Sequence, residues 1–174
     1  MEQGGTLYIS VGDFLQIAYL KEFGIQVSDI CYPLDEGAFS FNKIAMTTRS
    51  QDRSRLVLDE TGLQVHARFK DGVAAFVSRK IGKGRFFFMN VAFEKGMNVP
   101  YLFHKPCPNH AVYDFLAREA GVKKDLDCDD PEIEIERLED GRAILVNHSA
   151  RAKTLSVKGI AKKVVLSPFD VKVC

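Results

Sequence analysis

Ile81-Gly-Lys-Gly-Arg-Phe-Phe-Phe-Met-Asn90 is the stretch on which the architecture turns. Gly82 and Gly84 flank Lys83 and mark a tight hairpin turn. Phe86-Phe87-Phe88 then runs on without polar alternation, so the strand that follows the turn needs cover on both faces of its sheet. Reading back from the turn, Val73 to Ile81 is a second strand, and Asp71-Gly72 is the turn before it. Earlier still, Leu63, Val65, Ala67 and Phe69 alternate with Gln64, His66, Arg68 and Lys70, the pattern of a half-buried strand. That pattern places His66 on the polar face, solvated. The three strands form a meander.

At the N-terminal side, Gly4-Gly5 leads into Thr6-Leu-Tyr-Ile-Ser-Val11, an apolar run rich in β-formers. Gly12-Asp13 offers a turn and a helix N-cap, Phe14 to Phe23 is mostly apolar, and Gly24 fits a helix stop. Strand, turn and helix in that order suggest one unit of a parallel sheet. A strand apolar on both faces belongs inside such a sheet. Its neighbours must come from later in the chain, from another subunit or from polypeptide upstream. Residues 25–54 show no clear period, and Phe39 and Phe41 are their most distinctive pair.

Toward the C-terminus, Asn109 is positioned to cap a helix from His110 to Ala120, with Val112, Phe115, Leu116 and Ala120 at helical spacing and Gly121 ending it. Lys123 to Pro131 reads as an acidic linker, and the shift in composition places a module boundary near Asp129. Beyond it come about five short strands: Ile133 to Glu136, Arg142 to His148, Thr154 to Ile160, Val164 to Leu166 and Phe169 to Val173. They suit a small antiparallel sandwich.

The 174 residues can bury one substantial core, or a medium and a small one. The formal net charge of +1 gives no overall attraction to nucleic acid or membrane. The charge is segregated, however: acids dominate residues 114–140 and bases dominate 142–174. Two solvated surfaces explain this, as does attraction between the two segments within or between chains. The N-terminus shows no charged segment followed by an apolar one, and no apolar run reaches the roughly 20 residues of a bilayer span. The expectation is a cytoplasmic protein, although a fragment of a secreted parent would read the same.

The residues assign no catalytic group, no metal ligand and no cofactor. Ser10 ends a strand before a helix, but Tyr8 stands where a nucleophile elbow needs a small residue. Cys107 lies between His104 and His110, at a spacing that matches no standard zinc pattern. Asp125, Asp127 and Asp129 resemble the start of a calcium loop with Glu136 at its end, but Asp130 replaces the required glycine. Asn147-His148-Ser149 fits the glycosylation pattern and equally a strand end entering a turn. Tyr101, Phe103 and His104, in a proline-flanked loop, are the candidates for stacking on a sugar; the competing reading anchors them to the core.

Gly4-Gly-Thr-Leu-Tyr-Ile-Ser10, Gly82-Lys-Gly-Arg-Phe-Phe-Phe88, Leu116-Ala-Arg-Glu-Ala-Gly-Val122, Ile144-Leu-Val-Asn-His-Ser149 and Leu166-Ser-Pro-Phe-Asp-Val-Lys-Val173 follow one another in an order that carries a resemblance. The chain resembles the C-terminal part of multidomain glycoside hydrolases such as the family 42 β-galactosidases. The resemblance implies a partial α/β domain over residues 1–128, glutamine-amidotransferase-like or flavodoxin-like with an antiparallel extension. A small all-β antiparallel sandwich over 129–174 would follow it. It also implies a non-catalytic accessory region that self-associates or packs against a catalytic barrel absent from these residues. Two other readings stand beside it: a carbohydrate-binding module using Tyr101, Phe103 and His104, and a small hydrolase with a site in residues 101–110.

Overall fold

The computed structural model describes residues 1–11, 15–33, 37–47, 54–94, 109–160 and 163–174. The chain is mostly β and divides into two compact units, Met1–Gly121 and Val122–Cys174. Among the described residues, no helix is long and apolar enough to cross a membrane.

The first unit is built on a four-stranded sheet. Its strands are β1 (Thr6–Ser10), β6 (Gln64–Arg68), β7 (Ala74–Ile81) and β8 (Gly84–Met89), in the order β1-β8-β7-β6. β1 runs parallel to β8, and the other pairings are antiparallel. The strand apolar on both faces thus takes one neighbour from later in the chain. The N–H of Arg85 donates to Gly5 O and that of Val11 to Met89 O, so odd-numbered backbone groups of β1 face β8. Those of Thr6, Tyr8 and Ser10 face the other edge, where no further strand pairs among the described residues.

Both faces of this sheet are covered, as the phenylalanine run requires. Phe86, Phe87 and Phe88 are fully buried, each stabilising the fold by about 1.5–3 kcal/mol. On one face, Phe87 and Met89 pack with Phe39, Phe41 and Met46 and with Val112 and Leu116. These come from the hairpin β3 (Ala38–Phe41) and β4 (Ile44–Thr47) and from helix α2 (His110–Glu119). On the other face, Phe86 and Phe88 pack with Leu20, Ile25, Leu56 and Leu58. That cover comes from helix α1 (Leu15–Leu20) and the antiparallel pair β2 (Gln26–Cys31) and β5 (Arg55–Asp59). A 3₁₀ turn, Lys21–Phe23, extends α1 and ends at Gly24 in the left-handed region. The Phe23 ring stacks on Phe86 at 4.3 Å.

Gly82 and Gly84 are required by more than the turn. A Cβ on Gly84 would lie 2.6 Å from Gly5 O, and one on Gly82 would lie 2.6 Å from the Glu2 Cα. The N-terminal segment crosses the hairpin there and is fastened by the Lys83 N–H to Glu2 O at 3.1 Å.

Three sequence expectations need correction. The region 25–54 contains three strands, β2, β3 and β4. The β3–β4 turn is Asn42-Lys43, both at positive φ, which is the two-residue hairpin conformation. Asn109 does not cap α2 with its side chain: its own backbone is helical, and its buried Oδ1 has no hydrogen-bond partner among the described residues. The alternation in β6 is also broken, because His66 is an extra residue between the pairs Val65–Val77 and Ala67–Phe76. After this bulge the strand changes faces, so Leu63 and Val65 join one core and Ala67 and Phe69 the other.

Polar ties close the strand ends. Asn90 is fully buried, accepts from the Leu56 N–H at 3.0 Å, and donates to Leu56 O at 2.7 Å and Ala74 O at 2.8 Å. Buried Arg55 pairs with Asp71 at 2.5 Å and lies over the Phe69 ring.

The second unit holds β9 (Ile133–Arg137), β10 (Ala143–Asn147), β11 (Lys153–Leu155), β12 (Val164–Leu166) and β13 (Val171–Val173). They form two antiparallel sheets, β13-β10-β9 and β11-β12. Leu145 from the first and Leu155, Val164 and Leu166 from the second share one core with Ala143 and Val157. The acidic stretch is no free linker. Leu126 and Cys128 pack on this core, and the Lys158 N–H donates to Asp127 O at 2.9 Å. Part of the charge segregation is satisfied inside this unit: Lys153 pairs with Asp130 at 2.7 Å and Glu132 at 2.5 Å, and Arg151 reaches Glu132 at 3.3 Å.

Candidate functional site

Because β1 and β8 run parallel, their carboxyl ends meet, and Ser10 pairs with Met89. The carboxyl ends of parallel strands are where open sheets gather functional side chains. Tyr8 and Ser10 share one face of β1 by strand parity. Glu94 follows β8, and Tyr113 belongs to the first half of α2. The Glu94 carboxylate takes hydrogen bonds from all three hydroxyls. Tyr8 donates to Oε1 at 2.9 Å, Tyr113 donates to Oε1 at 2.8 Å, and Ser10 donates to Oε2. The two phenol rings meet edge to face, with centroids 6.3 Å apart.

Burial, then the Glu94 charge and the hydrogen bond to it, push the Tyr8 phenol far above its ordinary range. Burial and the bond to Glu94 likewise raise Tyr113. Both phenols therefore remain protonated donors through the physiological range. Ser10 now has the carboxylate neighbour that a nucleophile needs. Yet the two phenols hold Oε1 while Ser10 is bound to Oε2, so both oxygens of the carboxylate are engaged within the fold. The arrangement works first as a clasp: one carboxylate joins the end of β1, the extension of β8 and α2.

Tyr101, Phe103 and His104 lie outside the described residues, as does Cys107. His110 is exposed at the start of α2. His66 is half-buried and not simply solvated. Its ring sits among Phe76, Phe87 and Phe115 at 5.2, 5.8 and 5.2 Å, and its Nε2 meets Ser78 Oγ at 2.8 Å. Burial, then the nearby Arg85 charge, lowers its pKa. In the calcium-like stretch, Asp125 pairs with Arg137 at 2.6 Å and Asp127 with Lys124 at 3.4 Å, so these carboxylates turn toward cations.

Asn147-His148-Ser149 is a structural corner. Asn147 is 1% exposed, and its amide donates to Arg151 O and Ser167 O, each at 2.8 Å. Its Oδ1 accepts from the Ser149 hydroxyl at 2.9 Å. An acceptor for a glycan needs that amide free and exposed.

Sequence reading misses the clasp because its acid lies 84 residues from Ser10. The Tyr8-x-Ser10 spacing is the available signal, since it puts two hydroxyls on one strand face.

No family model matches the chain, and no curated protein does. Solved structures do. A β-galactosidase from Rahnella sp. R3 is similar at a TM-score of 0.66 and 14% identity, over 99% of this chain and 28% of that one. A β-galactosidase from Bacillus circulans sp. alkalophilus is similar at 0.63 and 16% identity, over 99% of this chain and 29% of that one. The E323A catalytic mutant of a GH42 β-galactosidase from G. stearothermophilus is similar at 0.63 and 14%, over 99% and 28%. The chain thus spans under a third of the length of each. At these identities the likeness is one of fold: over nearly its whole length the chain has the fold of a part of these glycoside hydrolases.

Proposed function

We propose that this chain is the non-catalytic accessory region of a β-galactosidase-like glycoside hydrolase, with its first unit amidotransferase-like and its second a closing β-sandwich. The observation that carries this reading is the match in fold over 99% of the chain to only 28% of the Rahnella β-galactosidase. Two features of the first unit support it. The side chains gathered at the carboxyl ends of β1 and β8 are tied to one another. The outer edge of β1, with the backbone groups of Thr6, Tyr8 and Ser10, has no strand against it among the described residues, although Leu7 and Ile9 of this strand pack on one core and Tyr8 on the other. Such an edge requires cover. On this reading the cover comes from a second copy or from the domain that carries the catalytic barrel.

Two measurements test the proposal. Sedimentation of the chain over a wide concentration range is expected to show association, and a clean monomer at the highest concentration counts against the β1 edge as an assembly surface. Assayed alone on chromogenic β-galactosides, the chain is expected to give no turnover above buffer. Turnover abolished by Ser10→Ala or Glu94→Gln would overturn the non-catalytic reading.

A further inference from the structure

The outward face of the sheet β13-β10-β9 carries features that the second unit's own fold does not use. Register places Val171 opposite Val146, and Val173 opposite Ile144. On the other side of β10, the same two residues face Glu134 and Glu136 of β9. Leu145 and Ala143 turn inward, so Ile144, Val146, Val171 and Val173 share the outer face, and none of the four joins the unit's core. Val171 is 56% exposed and Val173 46%.

Phe169 stands two residues before Val171. It stands third in the turn Ser167-Pro-Phe-Asp170, closed by the Asp170 N–H to Ser167 O, at φ 54°. A bulky side chain at positive φ is a strained choice where glycine or asparagine is free of cost. Yet its ring is 68% exposed. The fold bears the strain and gains little burial from this residue, so another body is the better account of why an aromatic stands there.

Two observations narrow the occupant. Lys172, in the middle of β13, is the kind of residue that guards a sheet edge against strand addition, which leaves the face as the place of contact. Beside the apolar stripe runs the acidic row Glu134 and Glu136, with His148 meeting Glu134 at 2.8 Å. We propose that this face docks an amphipathic polypeptide segment with an apolar side and basic flanks: the apolar side covers Phe169, Val171, Val173, Val146 and Ile144, and the bases meet Glu134 and Glu136. The proposal rests on the accessory-region reading for the existence of a partner within the same assembly.

The test uses the full chain, isotopically labelled, and two synthetic helix-forming peptides. One has leucine along one side and lysine elsewhere, and the other replaces every lysine with glutamate. The Leu/Lys peptide is expected to shift the resonances of Ile144, Val146, Phe169, Val171 and Val173 in a saturable way. The Leu/Glu peptide is expected to bind at least about tenfold more weakly. Glu134→Gln with Glu136→Gln should weaken the Leu/Lys peptide several-fold. Phe169→Gly should also weaken it, while melting no lower than the parent because the positive φ then suits the residue. Four results overturn the proposal: no shifts at about 1 mM peptide, equal binding of both peptides, shifts mapping elsewhere, or dilution-dependent shifts of the same residues, which would mark a self-contact. Shifts produced by oligosaccharides in place of the peptide would overturn it in favour of a sugar face. Galactoside turnover by the chain would defeat the accessory reading and leave these peptide results standing; absent peptide shifts defeat the docking face alone.

Discussion

Replacing His66 with alanine tests the bulge in β6 and its aromatic cage together. The imidazole touches three phenylalanine rings and hydrogen-bonds Ser78, which is 1% exposed. Truncation removes the ring contacts, worth about 0.5–1.5 kcal/mol for an aromatic pair beyond area burial. It also leaves a buried hydroxyl without its partner, at about 1–3 kcal/mol. The expected loss is about 2–4 kcal/mol by urea unfolding at pH 7.5. A pH series adds a second reading. Burial and Arg85 lower the His66 pKa in the folded state, so the neutral ring is the form that the fold favours. That contribution is fully present above the ordinary histidine value of about 6.5 and declines as pH falls below it. His66→Leu should therefore flatten part of the acid side of the stability profile. A loss under about 0.5 kcal/mol for the alanine variant, typical of a solvated surface position, would refute the cage. So would an unchanged acid limb for the leucine variant.

Gly84→Ala should destabilise by about 1–3 kcal/mol, because its Cβ would meet the backbone oxygens of Gly5 and Met1 at 2.6 and 2.8 Å; thermal melting reads this directly. Glu94→Ala should cost about 2–4 kcal/mol by leaving the Tyr8 and Ser10 hydroxyls unpaired, whereas Glu94→Gln keeps one acceptor and should lose less; equal losses would mean that the clasp is not formed. Asn147→Ala should cost about 1–3 kcal/mol in chemical denaturation, since Ser167 O loses its donor while Arg151 O keeps the Ser149 hydroxyl; a loss near zero would mean that the corner is open to solvent.

The meander, its turns and the five strands of the tail are legible because glycine turns and apolar runs are local signals. Phe86-Phe87-Phe88 announces two covered faces, and both are covered. What covers them is harder to read. β3 and β4 turn at Asn42-Lys43, where asparagine in the first position of the turn is a usable cue but the second position lacks the glycine that makes it loud. Period alone misplaces His66. A bulge adds one residue and exchanges the two faces, and nothing in the order Val65-His66-Ala67-Arg68 distinguishes that from a straight strand, since Arg68 still points to solvent and pairs with Glu60. The clasp at Glu94 depends on a parallel pairing between the first and eighth strands, which local pattern does not encode.

The polar groups of this fold bear on its chemistry as well as its stability. A catalytic side chain needs hydrogen-bonding capacity left over for a substrate. Asn90 uses both amide hydrogens and its oxygen to join β5, β7 and the end of β8. Asn147 does the same for the corner after β10. Glu94 receives three hydroxyls from the end of one strand and a helix. In each case the polar group fixes where elements end, and its partners are backbone or neighbouring side chains. Residues committed in this way resist substitution for structural reasons. A loss of function on mutating Glu94 or Ser10 in a larger assembly would therefore need a measured stability beside it before it could be ascribed to chemistry.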